Sequence, residues 1–133
     1  MTFQPRFDPV QVAKYNYILM EFAKDNPNIN ILCVATVDGF EVTSYSDGIV
    51  GSHGRVAAIA SSMHALGNVI NTEVGLGDCQ NVFVEGTMGK AILLAIPDAE
   101  NNKVLIVSAR ASTNLGMLLT TAKICCQNLA EVG

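Results

Sequence analysis

The groups able to do chemistry in this chain are few: two histidines, four cysteines, twelve carboxylates and eight lysines and arginines among 133 residues. Their spacing assembles no active site. His53 falls in a Gly- and Ser-rich stretch and His64 in a helical one, with no carboxylate in the adjoining turns to orient the imidazole for acid–base work. The carboxylates are dispersed, and Ser61, Ser62, Ser108 and Ser112 lack the strand–turn–helix setting of an activated serine. Cys33, Cys79, Cys125 and Cys126 lie within apolar patterns, and no Cys-x-x-Cys spacing occurs. Neighbours on a helix diverge by about 100°, so Cys125 and Cys126 do not share one metal ion. Cys79 stands beside Asp78 rather than beside a cation that would favour its thiolate.

Two glycine clusters invite a nucleotide reading and fail it on context. Gly75-Leu76-Gly77-Asp78 follows a helical pattern and precedes a strand, whereas a dinucleotide loop leaves a strand and opens a helix whose N-terminus meets the pyrophosphate. Gly86-Thr87-Met88-Gly89-Lys90 is too short for a phosphate loop, has no Ser or Thr after the lysine, and runs into a strand. Both read as turns. Arg55 and Arg110 each border a loop, where an arginine can act as a finger on a neighbouring nucleotide's phosphates. The simpler reading, a surface arginine or one bonded to loop carbonyls, is preferred for both. The expectation is a non-enzymatic protein with no catalytic residue, no cofactor and no metal.

The bulk composition points the same way. Half the residues are hydrophobic and 15% are charged, so the chain is neither a disordered tail nor a solvating linker. One domain over 1–133 is expected, large enough for a real core. The net charge of −4 and the scattered basic residues argue against a nucleic-acid partner. The longest apolar run, Ala91 to Ile96, is far short of the roughly 20 residues of a membrane span, which argues against membrane insertion. The N-terminus carries no secretory pattern, so the cysteines are expected to be reduced and the protein cytoplasmic.

The elements can be placed from local signals. Val12, Tyr15, Leu19 and Phe22 recur at helical spacing after Asp8-Pro9, an N-cap followed by proline, and Asp25-Asn26-Pro27 stops that helix. Ile29 to Val37 and Phe40 to Tyr45 are β-rich around Asp38-Gly39, read as a two-residue type I′ hairpin. A loop from Ser46 to Gly54 follows. From Arg55 to Val74 the period is helical, with Val56, Ile59, Met63, Leu66 and Ile70 on one stripe and Ala58, Ser62, Ala65 and Val69 on a second. A helix apolar over more than one face is expected to pack on something besides its own core. Strands are expected at Cys79 to Glu85, Lys90 to Ile96 and Val104 to Ala109. A final helix, capped by Ser112, would turn Leu115, Leu118, Ala122, Cys125 and Leu129 inward. Neither β-pair holds a crossover helix, so the fold class is α+β with an antiparallel sheet and helices packed on it.

That order of elements, with Val34-Ala35-Thr36-Val37-Asp38-Gly39-Phe40 closing the first hairpin, the Ala-rich helix of Ala57 to Ile70 and the Gly86–Gly89 turn, resembles the Roadblock/dynein light chain family. The resemblance runs from about Val10 to Leu129. It implies a five-stranded antiparallel sheet and a homodimer in which the second helices pair antiparallel and the third strands join edge to edge. On that reading the dimer interface comprises Ala58, Ser62, Ala65 and Val69 on the helix with Val82 and Val84 on the strand, and Val84→Pro should break it. Asn81-Val82-Phe83-Val84 has no proline or lysine to guard an open edge. Members of the family regulate or scaffold Ras-like small GTPases or serve as motor light chains. A bacterial branch, the mutual gliding-motility proteins of type B, accelerates GTP hydrolysis by a partner GTPase as a dimer. The implied partner surface centres on Arg55, Ile59, Met63 and Leu66. A structural adaptor without a nucleotide-linked partner is the alternative, and a small-ligand sensor is disfavoured by core positions filled with Val, Ile and Leu.

Overall fold

The computed structural model describes residues 7–46 and 54–132. His53 and the expected loop from Asp47 to Ser52 lie outside the described residues. Helix α1 (Pro9–Asp25) starts where its cap predicts: the Asp8 carboxylate accepts from the Val10 amide at 3.0 Å, and Pro9 sits in the first turn, where a missing N–H costs nothing. Asn26 closes it by donating to the Phe22 carbonyl at 2.9 Å.

Strands β1 (Ile29–Thr36) and β2 (Glu41–Ser46) form the first hairpin. The Asp38-Gly39 signal marks its position, but the connection is not the two-residue type I′ turn expected. Thr36 and Phe40 pair through Thr36 N–H to Phe40 O at 2.9 Å, leaving Val37, Asp38 and Gly39 as a three-residue loop. Gly39 alone has positive φ, +102°, the pattern of a turn followed by a left-handed glycine. Thr36 explains the longer loop: its hydroxyl accepts from the Phe40 amide at 3.0 Å and also bonds Asp38.

Helix α2 (Gly54–Glu73) ends as the sequence predicts, with Gly75 at φ +71° and Leu76 N–H donating back to Asn71 O at 2.8 Å. Strand β3 (Asn81–Glu85) begins two residues later than expected, because Cys79 is held by its amide on the Asn68 side chain instead of by a ladder. Strands β4 (Gly89–Ala95) and β5 (Lys103–Arg110) complete an antiparallel sheet in the order β2-β1-β5-β4-β3. Helix α3 (Leu115–Ala130) is capped by Asn114, whose side chain accepts from Met117 N–H at 3.0 Å, and not by Ser112. Ser112 instead lies in a turn closed by Thr113 N–H on Arg110 O, which delays the helix by two residues. Leu115 is consequently 40% exposed, while Leu118, Ala122, Cys125 and Leu129 turn inward as expected.

The sheet separates two cores. On one face α1 and α3 pack Tyr15, Leu19, Leu118 and Leu129 against Leu32, Val34, Ile92, Leu105 and Val107. On the other, α2 lays Ala57 and Ala60 on Cys33, Ala35, Leu93, Val104 and Ile106. The result is three layers with the sheet in the middle. All four cysteines are free and buried. Burial pushes the Cys33, Cys125 and Cys126 thiols up to about 12, from an ordinary value of 9.0. The folded state therefore keeps these protons when the unfolded chain loses them, so their contribution to stability is complete below pH 9.0 and is lost progressively as pH rises toward about 12. In the native protein at pH 8, iodoacetamide is expected to label these three thiols only at the rate of global opening, and all of them promptly in denaturant; mass spectrometry of the adducts checks this.

Candidate interaction surface

The side of α2 that meets the sheet is built from small residues. Ala57 and Ala60 are 0% and 1% exposed, and Gly67 lets the helix lie close to the chain beneath it. A Cβ at Gly67 would stand 2.6 Å from Cys79 Sγ and 3.2 Å from Val82 Cγ2. A helix-interior glycine is otherwise unfavourable by about 1 kcal/mol relative to alanine, so the close approach is what it serves. Gly67→Val is expected to cost about 1–3 kcal/mol through this overlap, and adding Cys79→Ala should return part of it; thermal melts of the single and double variants make the comparison.

With small residues facing inward, the large apolar side chains of α2 face out. Ile59, Leu66, Val69 and Ile70 are 51–62% exposed. The second stripe, Ala58, Ser62, Ala65 and Val69, and three members of the first, Ile59, Leu66 and Ile70, are thus neighbouring rows of one outward surface, all exposed, while Val56 of the first stripe turns in toward the core. Arg55, Ile59 and Leu66 of the expected partner surface belong to that same surface. Met63 does not; it is half-buried and packs on the core under α2. Sequence reasoning divided into two sites what the tertiary structure places on one face.

That face carries little charge. Between Arg55 in its first turn and Glu73 in its last, His64 is the one other ionisable group on α2. This polarity opposes the helix dipole, which favours acidic residues at the N-terminus and basic ones at the C-terminus. Arg55, Ile59, Ser62, Leu66, Val69 and Glu73 follow one another at spacings of four and three, the period of a helix-pairing seam.

Strand β3 borders this face and is an edge strand of the sheet. Val82 and Val84 lie on the α2 side, paired across β4 with Leu93 and Ala91. Val82 is half-buried beneath α2, and Val84 is 49% exposed beside it. The ladder phase is fixed by Gly86 N–H to Gly89 O at 2.8 Å at one end and Ala95 N–H to Gln80 O at 3.3 Å at the other. Alternation between these ends makes Val82 and Val84 the residues bonded to β4, and points the Phe83 and Glu85 amides out along the open edge. Val84→Pro would therefore break the protein's own hairpin, and the substitution that tests the open edge is Phe83→Pro.

The remaining candidates fall into place elsewhere. Arg110 donates to the Pro27 carbonyl at 3.0 Å, the loop-bonded role preferred from sequence. Gly75 and Gly77 take positive φ in a cap and turn, and Gly86 to Gly89 closes a hairpin, so neither forms a phosphate loop. Among the described residues no group of three or more His, Cys, Asp or Glu is placed to hold a metal ion, and no helix is long and apolar enough to cross a membrane.

These features define a Roadblock/LC7 fold: helix, hairpin, helix, three-stranded meander and helix, with an outward apolar second helix beside an open third strand. No protein-family model and no curated protein matches the sequence. Solved structures do match. Myxococcus xanthus MglB superposes with a TM-score of 0.80 at 17% identity, over 99% of this chain and 92% of that one. The gliding protein MglB of Thermus thermophilus gives 0.81 at 12% identity, over 98% and 97%. A Roadblock/LC7 domain from Streptomyces avermitilis gives 0.75 at 18% identity, over 85% and 92%.

Proposed function

We propose that the protein is a non-enzymatic homodimer that regulates or scaffolds a Ras-like small GTPase through protein–protein contacts. The observation that carries this reading is the outward face of α2, apolar along its length and continuous with the open β3 edge. A patch of this kind on a small protein marks an interaction site. The seam on α2 supports a particular pairing. An antiparallel second copy centred at the level of His64 sets Arg55 against Glu73, Ile59 against Val69 and Ser62 against Leu66. It also aligns the helix dipoles head to tail, which relieves the unfavourable end charges of each helix alone.

The likeness to MglB structures supports a small GTPase as the further partner, since the sequence resembles the branch that acts on one. In that arrangement the α2 seam is occupied by the second copy. The GTPase then meets the flanks of the paired helices and the adjoining strands, while Arg55, Ile59 and Leu66 of the expected set serve the pairing itself. The protein acts by holding the GTPase in one conformation, or by presenting it to another component, and supplies no reacting group of its own.

The test is a pull-down with the tagged protein from source-organism lysate, run in parallel with a non-hydrolysable GTP analogue and with GDP. A small GTPase identified mainly in the GTP-analogue arm, whose turnover then changes on adding the purified protein, supports the regulator. Equal capture of other proteins in both arms, with no GTPase among them, leaves the structural adaptor.

A further inference from the structure

The face of the sheet opposite α2 carries a second surface, separate from the α2 seam and the β3 edge. Helices α1 and α3 lie side by side there, and a groove between their outer edges is floored by Tyr17, Ile18 and Phe22 of α1 and by Ile124 of α3, with Val132 at its end. Tyr17 and Ile124 are 67% and 53% exposed. Three carboxylates, Glu21, Asp25 and Glu131, line the same groove, against one ammonium, Lys14, at the end near Val10. Between the two helices the groove runs from Tyr17 to Asp25, about 12 Å along α1, and past Val132 it opens onto Val10, Ala13 and Lys14 of α1 alone.

We propose that this groove docks a cationic amphipathic helix from a partner protein. Its straight, apolar floor between two helices suits the apolar stripe of a third helix, read as anchors one turn apart. The acidic rim selects lysine or arginine on the flanks of that stripe, as charge complementarity sets register and excludes wrong partners. The same rim argues against the other occupants. A second copy of this chain, related by a two-fold axis, would offer only two ammoniums to six carboxylates across the pair and leave most of the acid unpaired, and an anionic lipid surface would be repelled. Because the sheet lies between the groove and α2, a dimer formed through α2 leaves two grooves open, one per protomer. The docking itself does not depend on that dimer.

The probe is a fluorescein-labelled 18-residue model helix with leucine along one stripe and lysine on its flanks, compared with a second peptide carrying glutamate at the lysine positions. Anisotropy is followed in 0.15 M salt, where non-specific attraction is screened beyond about 8 Å. The native protein is expected to bind the lysine peptide at least tenfold more tightly than the glutamate peptide. Glu21→Lys/Glu131→Lys should weaken lysine-peptide binding tenfold or more. Asp78→Lys/Glu85→Lys, which changes net charge equally at exposed positions on other surfaces, should weaken it less than threefold. Tyr17→Asp/Ile124→Asp, at exposed positions that leave the core intact, should abolish binding of the lysine peptide. Equal loss in the two charge variants, no preference between peptides, or binding that survives Tyr17→Asp/Ile124→Asp overturns the proposal. So does sedimentation showing that Tyr17→Asp/Ile124→Asp halves the native assembly, which would make the occupant a second copy.

Discussion

Leu66→Asp/Val69→Asp is expected to sediment as a monomer at concentrations where the native protein is a dimer. Both side chains are more than half exposed in the single chain, 62% and 57%, so neither substitution disturbs the core. In a two-fold interface each change is counted twice. At roughly 1.5 kcal/mol per side chain withdrawn from water, the loss is on the order of 6 kcal/mol, about four decades in dimer affinity. Carboxylates placed in the seam add a further desolvation penalty. The pairing register has its own signature. Arg55→Glu should weaken the dimer about tenfold, because two end-to-end ion pairs become repulsive, and adding Glu73→Arg in the same chain should restore it. Phe83→Pro removes an outward amide from the β3 edge and leaves the β4 ladder intact, so a weaker dimer with an unchanged monomer fold assigns the strand edge to the interface. If Leu66→Asp/Val69→Asp remains dimeric in analytical ultracentrifugation, the α2 seam is not where the copies meet.

Lys103→Met is expected to be among the most destabilising single substitutions in the protein, at about 3 kcal/mol. Lys103 is buried at the head of β5, and its ammonium lies 3.3 Å from Asp98 in a pair whose side chains are only 5% and 4% exposed. The same nitrogen donates to Asn102 Oδ1 at 3.1 Å and stands 3.4 Å from Glu100. Burial opposes the charge, but Tyr15, Asp98 and Glu100 together hold the lysine's pKa above its ordinary value. Removing it strands the Asp98 carboxylate. The cost falls at the lower end of the usual range for breaking a buried pair, because the Asn101 amide still donates to Asp98 Oδ1 at 2.8 Å. In a chain of this size that loss should lower the melting temperature by about 10 °C. Asp98→Asn added to Lys103→Met should recover a large part, since a neutral amide needs no counter-charge. A fall of less than about 3 °C for Lys103→Met would mean that solvent screens the pair.

Much of the fold was legible before any coordinates. The Asp8-Pro9 cap, the period of α1 and α3, the Asp38-Gly39 hairpin, Gly75 after α2 and the absence of crossover helices are written in neighbouring residues, because caps, turns and helical periods depend on atoms a few positions apart. Errors at this level were small and local. Thr36 lengthened a turn, and Asn114 displaced Ser112 as a cap, each through a side-chain bond that spacing alone does not reveal.

The candidate surface was only half legible. That α2 has apolar residues to spare is plain from its sequence. Which of them face the sheet is not, since Val56, Ile59, Met63, Leu66 and Ile70 form as convincing an inward stripe as any. The outcome was decided across the contact: the sheet presents Cys33, Ala35, Leu93 and Ile106 at a distance that admits Ala57, Ala60 and Gly67 and leaves the larger side chains outside. Lys103 reads in sequence as one of eight scattered surface charges. Asp98 is only five residues away, in the connection between β4 and β5, but the pair is buried because β5 runs between β1 and β4, a long-range pairing that also brings Lys103 beside Tyr15. Short-range chemistry therefore set where each element begins and ends. Which side of each element meets water was settled only when residues distant in the chain packed against one another, because burial is a property of what lies opposite.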